Sequence, residues 1–148
     1  MEYEYDALEA TIRGGRNMSL KLELDFQYTA SIEKVWSALT DPFKLAKWIL
    51  ANDFKAVVGH RFHFQAEPNE WWDGLIEGEV LIVDEPNLLS YTWASAGEQH
   101  TVTWTLQVLA DGKVNLHLDQ TGFSNPQGLE GAKYGWSAWC GQLDKALD

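Results

Sequence analysis

The sequence predicts an α+β domain in which a curved antiparallel sheet wraps one long C-terminal helix. Three observations carry this. Strand-like alternation fills most of residues 53–122, punctuated by turn signals at Gly59, Pro86-Asn87 and Asp111-Gly112, so the middle of the chain is a meander of hairpins. Two short helical patterns stand between a first strand and that meander. From Pro126 to Leu147, the apolar residues Leu129, Ala132, Trp136, Trp139, Cys140, Leu143 and Leu147 recur at helical spacing, which gives one buried face. A sheet and a helix that each have one apolar face can bury each other.

The elements follow in order. Leu20, Leu22, Leu24, Phe26 and Tyr28 alternate with Lys21, Glu23, Asp25 and Gln27, the pattern of a half-buried strand. Ser31 is placed to cap a helix whose face is Ile32, Val35, Trp36 and Leu39. In TDPFKLAKWIL, residues 40–50, Asp41 suits a cap and Pro42 the first helical position, with Leu45, Trp48 and Ile49 as the apolar face. A helix this short is not stable alone, so Trp48 is expected to close one end of the space between sheet and long helix. DFKAVV and GHRFHFQA read as strands meeting at Gly59. WWDGLIEGEVLIVDEP reads as a long strand in which Gly78 marks a bulge or bend. LLSYTWA, HTVTWTLQVLA and KVNLHLDQTGF complete six strands after the first. In the last helix Gly128, Gly131, Gly135 and Gly141 each cost ~1 kcal/mol relative to Ala. Packing must therefore hold it, and glycine lets a sheet or a ligand approach its backbone closely.

Composition bounds the function. A chain of 148 residues supports one domain with a sizeable core, and 45% hydrophobic content excludes a disordered polymer. Eight Trp must either pack or line something. A net charge of -11 argues against a nucleic-acid backbone or an anionic membrane surface as partner. The single Cys140 excludes an internal disulfide and a cysteine-rich zinc site, and no apolar run approaches transmembrane length. Residues 1–17, MEYEYDALEATIRGGRN, lack the apolar core of a signal peptide. They read as an N-terminal tail, disordered or non-native, before a single domain at 18–148, and the expected location is cytoplasmic.

Strand parity then sorts the side chains. Val114, Leu116 and Leu118 face inward and carry Gln120 with them. Val102, Trp104, Leu106 and Val108 face inward, with His100 at that end. Phe62 and Phe64 face inward, as do Ile76, Gly78, Val80 and Ile82, leaving His63, Glu77 and Glu79 outside. None of His60, His63, His100 and His117 has the spacing of a zinc site, and His117 with Asp119 on one outer face reads as a solvated polar face, with a weak surface metal or ion pair as the alternative. Cys140 has no His partner in the pattern. No nucleophile motif, phosphate loop, dinucleotide fingerprint or buried acid pair is present, so no catalytic residue, metal or cofactor is assigned.

The segments KVWSALTDPFKLAKWI, GHRFHF, IEGEVLIVDEPNLLSYTW, VTWTLQV, VNLHLDQTGF and YGWSAWCGQLDKAL occur in that order. Together they resemble the activator of heat-shock protein 90 (Hsp90) ATPase homologue family, within the START-like, birch-pollen-allergen-like (SRPBCC) superfamily, over residues 19–147. The resemblance implies a helix-grip fold, a seven-stranded antiparallel sheet gripping a C-terminal helix with an apolar space between. It does not imply one function, since such proteins include chaperone activators, small-ligand carriers and cyclases. The chain departs from the family at Trp71-Trp72, at Gln120 and in the small residues around Trp136 and Trp139.

The resulting expectation is a carrier of a hydrophobic small molecule, lipid or aromatic, in a central cavity. Its walls would be Trp48, Phe62, Phe64, Trp93, Trp104, Leu118, Trp136 and Cys140, with His100 and Gln120 orienting a polar group. The same residues could instead fill a solid core; the resemblance favours a space. The alternatives are a chaperone-interaction or ATPase-activating module, and a cyclase- or hydrolase-like enzyme, which would need a buried acid or base.

Overall fold

The computed structural model describes residues 20–147, and the expectations about residues 1–17 fall outside them. Strands β1 (Leu20–Tyr28), β2 (Ala51–Asn52), β3 (Arg61–Gln65), β4 (Leu75–Asp84), β5 (Leu88–Ser95), β6 (Glu98–Val108) and β7 (Val114–Phe123) form one seven-stranded sheet. Its order is β1-β7-β6-β5-β4-β3-β2, antiparallel throughout. The meander runs outward from β7, and β1 adds to its other side with Leu24 opposite Leu118. Helices α1 (Ile32–Thr40) and α2 (Pro42–Trp48) precede the meander, and α3 (Pro126–Cys140) follows it. This is the helix-grip arrangement the sequence predicts.

The cap signals act as read. Ser31 Oγ accepts the Lys34 N–H at 3.2 Å, and Asp41 Oδ1 accepts those of Phe43 and Lys44 at 2.8 and 3.3 Å. Asp41 thus ends α1 and starts α2. Trp48 is buried; its indole N–H donates to the Ala38 carbonyl at 2.8 Å and its ring meets Trp104 edge-on. It joins the core between the two short helices and the sheet.

Several expectations change. DFKAVV is not a strand. Of this stretch, Ala51 and Asn52 pair with β3 and the Asp53 N–H adds one bond to the His63 carbonyl at 3.3 Å; beyond it, Asn52 Oδ1 and the Asp53 carboxylate accept from the backbone N–H groups of Phe54 and His63. Phe54 is buried, and Val57 and Val58 are exposed. Second, β4 begins at Leu75, after Gly74 turns the chain at φ +76°, which leaves Trp71 and Trp72 on a loop. Third, the bulge in β4 falls between Val80 and Ile82, not at Gly78. The extra residue reverses the parity, so Ile82 is exposed and Val83 packs on the core. Val108, the last residue of β6 before the hairpin turn, is also exposed rather than inward. Fourth, the last helix ends at Cys140. Gly141 caps it, and Leu143–Ala146 form a 3-10 turn that still buries Leu143 and Ala146. The Tyr28 hydroxyl pins that end by donating to the Cys140 carbonyl at 2.7 Å.

Candidate functional site

The space between the sheet and α3 is filled at its centre. Phe54, Phe62, Tyr91, Trp93, Trp136 and Trp104 form a continuous run of ring contacts with centroids 5.0–6.3 Å apart. Trp104 Nε1 donates to the Tyr91 hydroxyl at 2.8 Å, which satisfies the most deeply buried indole. Burial pushes the Cys140 thiol well above its ordinary range, so it is a small core group rather than a thiolate nucleophile.

The filling stops short of the first half of α3. There a recess of about 710 Å³ remains, walled by Trp72, Ile76, Trp93, Phe123, Trp136 and Trp139, and by Gly128, Gly131, Ala132 and Gly135 of the helix. The glycines are part of why it is open. A Cβ built on Gly131 or Gly135 would meet no atom of the described residues within 4 Å, the helix's own nearby backbone aside. Neither glycine is needed for a positive φ or for close packing, yet both sit inside a helix. Gly131→Ala and Gly135→Ala should each raise stability, by about 0.5–1 kcal/mol, in a denaturant melt. A loss would mean that unseen crowding, not open space, selects glycine there.

One polar chain crosses this apolar wall. The Trp136 indole N–H can only donate, and it does so to Gln120 Oε1 at 2.7 Å. The Gln120 amide nitrogen therefore faces His100 Nδ1, 2.7 Å away, and donates to it. The remaining ring proton of His100 must lie on Nε2, which donates to Glu98 Oε1 at 2.6 Å. Ser124 Oγ donates to the other Glu98 oxygen. Every link is thus directed, and Gln120, only 2% exposed, has both amide ends satisfied. The hydrogen bond from Ser124, then that from His100, hold the Glu98 carboxyl below its usual range against the opposing effect of burial.

Glu98 owes its place to the turn before it. Ala96 and Gly97 both take positive φ, 52° and 83°, as a two-residue hairpin of the primed type requires. The turn sets Ser95, Ala96 and Glu98 between this recess and a second one of about 770 Å³, which Glu70, Trp71, Trp72, Asp73 and Glu77 border. Trp72 belongs to both, and its buried indole nitrogen has no hydrogen-bond partner among the described residues.

Of the ten residues the sequence nominates, Trp93, His100, Gln120 and Trp136 line the recess together. Trp48, Phe62, Phe64, Trp104, Leu118 and Cys140 are buried in the core and do not border it. Sequence reasoning missed Trp72, Ile76, Glu98, Phe123 and the glycines as wall. Extending the β6 alternation two residues back from His100 would have found Glu98. On the outer sheet face, Glu23, His117 and Asp119 place ligand atoms within 4.8 Å of one another. They already have partners: the His117 ring nitrogens lie 3.3 and 2.9 Å from carboxylate oxygens of Glu23 and Asp25, and Asp119 pairs with Lys21 at 3.2 Å.

Residues 29–148 match the protein family described as activator of Hsp90 ATPase homolog 1-like protein. The fold is similar to that of MLL2253 from Mesorhizobium loti, with 35% identity and a TM-score of 0.78 over 86% of this chain and 96% of that one. It is also similar to CalU16 from Micromonospora echinospora (23% identity, TM-score 0.74, 88% of this chain and 77% of that one). An HSP90 activator from Plasmodium falciparum, PFC0360w, has the same fold at 21% identity and a TM-score of 0.70, over 86% and 95% of the two chains. No curated protein matches the chain. Among the described residues no helix is long and apolar enough to cross a membrane. The sheet that grips α3, the two capped helices after β1 and the match over 29–148 lead to one assignment: the chain belongs to the activator of Hsp90 ATPase homolog 1-like family.

Proposed function

We propose that the protein binds an apolar small molecule, aromatic or lipid in character, in the recess between the sheet and the glycine face of α3. One observation carries the reading. Four Trp residues, Trp72, Trp93, Trp136 and Trp139, wall a space that two otherwise unexplained helix glycines leave open. Burying an apolar ligand there yields about 2.5 kcal/mol per 100 Å² before the costs of ordering it. The directed chain from Glu98 to Trp136 fixes the polar part of the wall, so its position is set before the ligand arrives.

The geometry favours enclosure over catalysis. Both ring nitrogens of His100 are engaged, and Cys140 is shut away in the core. Docking to a chaperone is the second reading, favoured by the family match and by the acidic character of the chain. Such a contact would weaken as salt rises.

A neutral fluorescent probe tests the first reading. N-phenyl-1-naphthylamine titrated into the protein should quench Trp emission saturably at one site per chain. Quenching that rises linearly, without saturation, would refute a defined site.

A further inference from the structure

We propose that the natural ligand is a cationic amphiphile, with an aromatic or alkyl body in the apolar recess and an ammonium group between Trp72 and Glu98. This rests on the ligand-binding reading and goes beyond it by assigning the sign of the ligand's charge.

Glu98 is the one acid among the described residues that line the recess, in a wall otherwise apolar or neutral. Ser124 and His100 donate to its two oxygens and keep it ionised. Those donors also fix the carboxylate in place, with lone pairs to spare for a third partner. A ligand that fills the recess strips water from this charge. A neutral ligand would leave it partly desolvated without a counter-ion, and an anionic ligand would add repulsion. A cation offsets both.

His100 does not supply that counter-ion. Its Nδ1 faces the amide donor of Gln120, and turning the amide over would set two donors, the Trp136 N–H and the Gln120 NH₂, against each other. A second ring proton on His100, at Nδ1, would point at the Gln120 amide donor rather than at an acceptor among the described residues. The surroundings have one sign as well. Glu70, Asp73 and Glu77 border the adjoining recess, and among the described residues lining either recess none is Lys or Arg. Glu77 has a partial partner in His63, 3.5 Å away. Trp72, shared by the two recesses, offers an aromatic surface at the junction, the wall that attracts ammonium groups.

The test uses three probes with one apolar body: 1-naphthylmethylammonium, 1-naphthylmethanol and 1-naphthoate, titrated by calorimetry at pH 7 and low salt. The ammonium compound should bind about tenfold more tightly than the alcohol, and the carboxylate more weakly than the alcohol. In Glu98→Gln the preference for ammonium over alcohol should shrink to about threefold or less. Wild-type protein that binds the alcohol or the carboxylate as tightly as the ammonium would overturn the inference, whether or not the variant folds. So would a folded Glu98→Gln protein that keeps the full preference. If none of the three binds, the ligand-binding reading fails first and takes this inference with it.

Discussion

Trp136→Ala should lower the stability of the domain by about 3–5 kcal/mol, the range for removing a large core aromatic. The ring is 3% exposed and packs against Trp93, Trp104 and Trp139 with centroids 5.1–5.3 Å away. It borders the recess on one side only, so most of its surface is in contact. The substitution also strips the donor from Gln120 Oε1, and a buried acceptor left unpaired costs roughly 1–3 kcal/mol. Trp136→Phe separates the two effects. It keeps much of the volume, loses the hydrogen bond, and should fall between wild type and the alanine variant. Urea melts at unchanged slope would report both. A loss below about 1 kcal/mol for Trp136→Ala would mean that the ring faces open space and contributes little packing.

Gly78→Ala should be comparably severe, although it adds one methyl group. A Cβ at Gly78 would lie 2.0 Å from the Thr92 carbonyl oxygen and 2.4 Å from Phe62 Cζ. The first is backbone of the neighbouring strand, and the second is the end of a fully buried ring directly across the β3–β4 pair. The carbonyl cannot yield without shifting the backbone of β5, and the ring has no open space to turn into. The pairing with β5 is already specialised at this point, because the next residue, Glu79, gives its N–H to the Thr92 hydroxyl at 2.8 Å. Overpacking of this kind typically costs about 1–3 kcal/mol and sometimes more, and a backbone clash places Gly78→Ala at or above the top of that range. Gly131→Ala should do the opposite. The same chemical change, glycine to alanine, should destabilise at one site and stabilise at the other, because the added atom meets a strand in one case and empty space in the other. A Gly78→Ala protein as stable as wild type would contradict the close packing of β3, β4 and β5.

Much of this architecture was legible because its signals are local. Ser31, Asp41 and Pro42 mark helix starts by their own hydrogen-bonding chemistry, and Asp111-Gly112 marks a hairpin by its backbone preferences. Errors arose where one residue changes a count or where a third dimension matters. The bulge after Val80 carries no glycine, so nothing in the sequence marks where the alternation breaks, and Ile82 reads as inward. Gly78 reads as a bulge or bend because a glycine in a strand can mark either that or the close approach of other groups, and here the Thr92 carbonyl and the Phe62 ring are the reason.

The site was legible only by face. Parity identifies which side chains point toward α3, and Trp93, His100, Gln120 and Trp136 were found that way. It cannot say which part of that face a neighbour fills, so Phe62, Trp104 and Leu118, which lie beneath packed side chains, read the same as true wall residues. Trp72 comes from a loop without periodicity, and Glu98 sits beside a turn.

The most direct test of the ligand-binding account is the set of indole signals in a ¹H–¹⁵N spectrum recorded while N-phenyl-1-naphthylamine is added. The eight Trp residues spread over the whole molecule. If the recess is the site, the signals of Trp72, Trp93, Trp136 and Trp139 should shift together and saturate, while those of Trp36 and Trp48, on the two short helices, stay still. Saturable shifts centred on Trp36 and Trp48, or no shift at the four recess indoles, would contradict it.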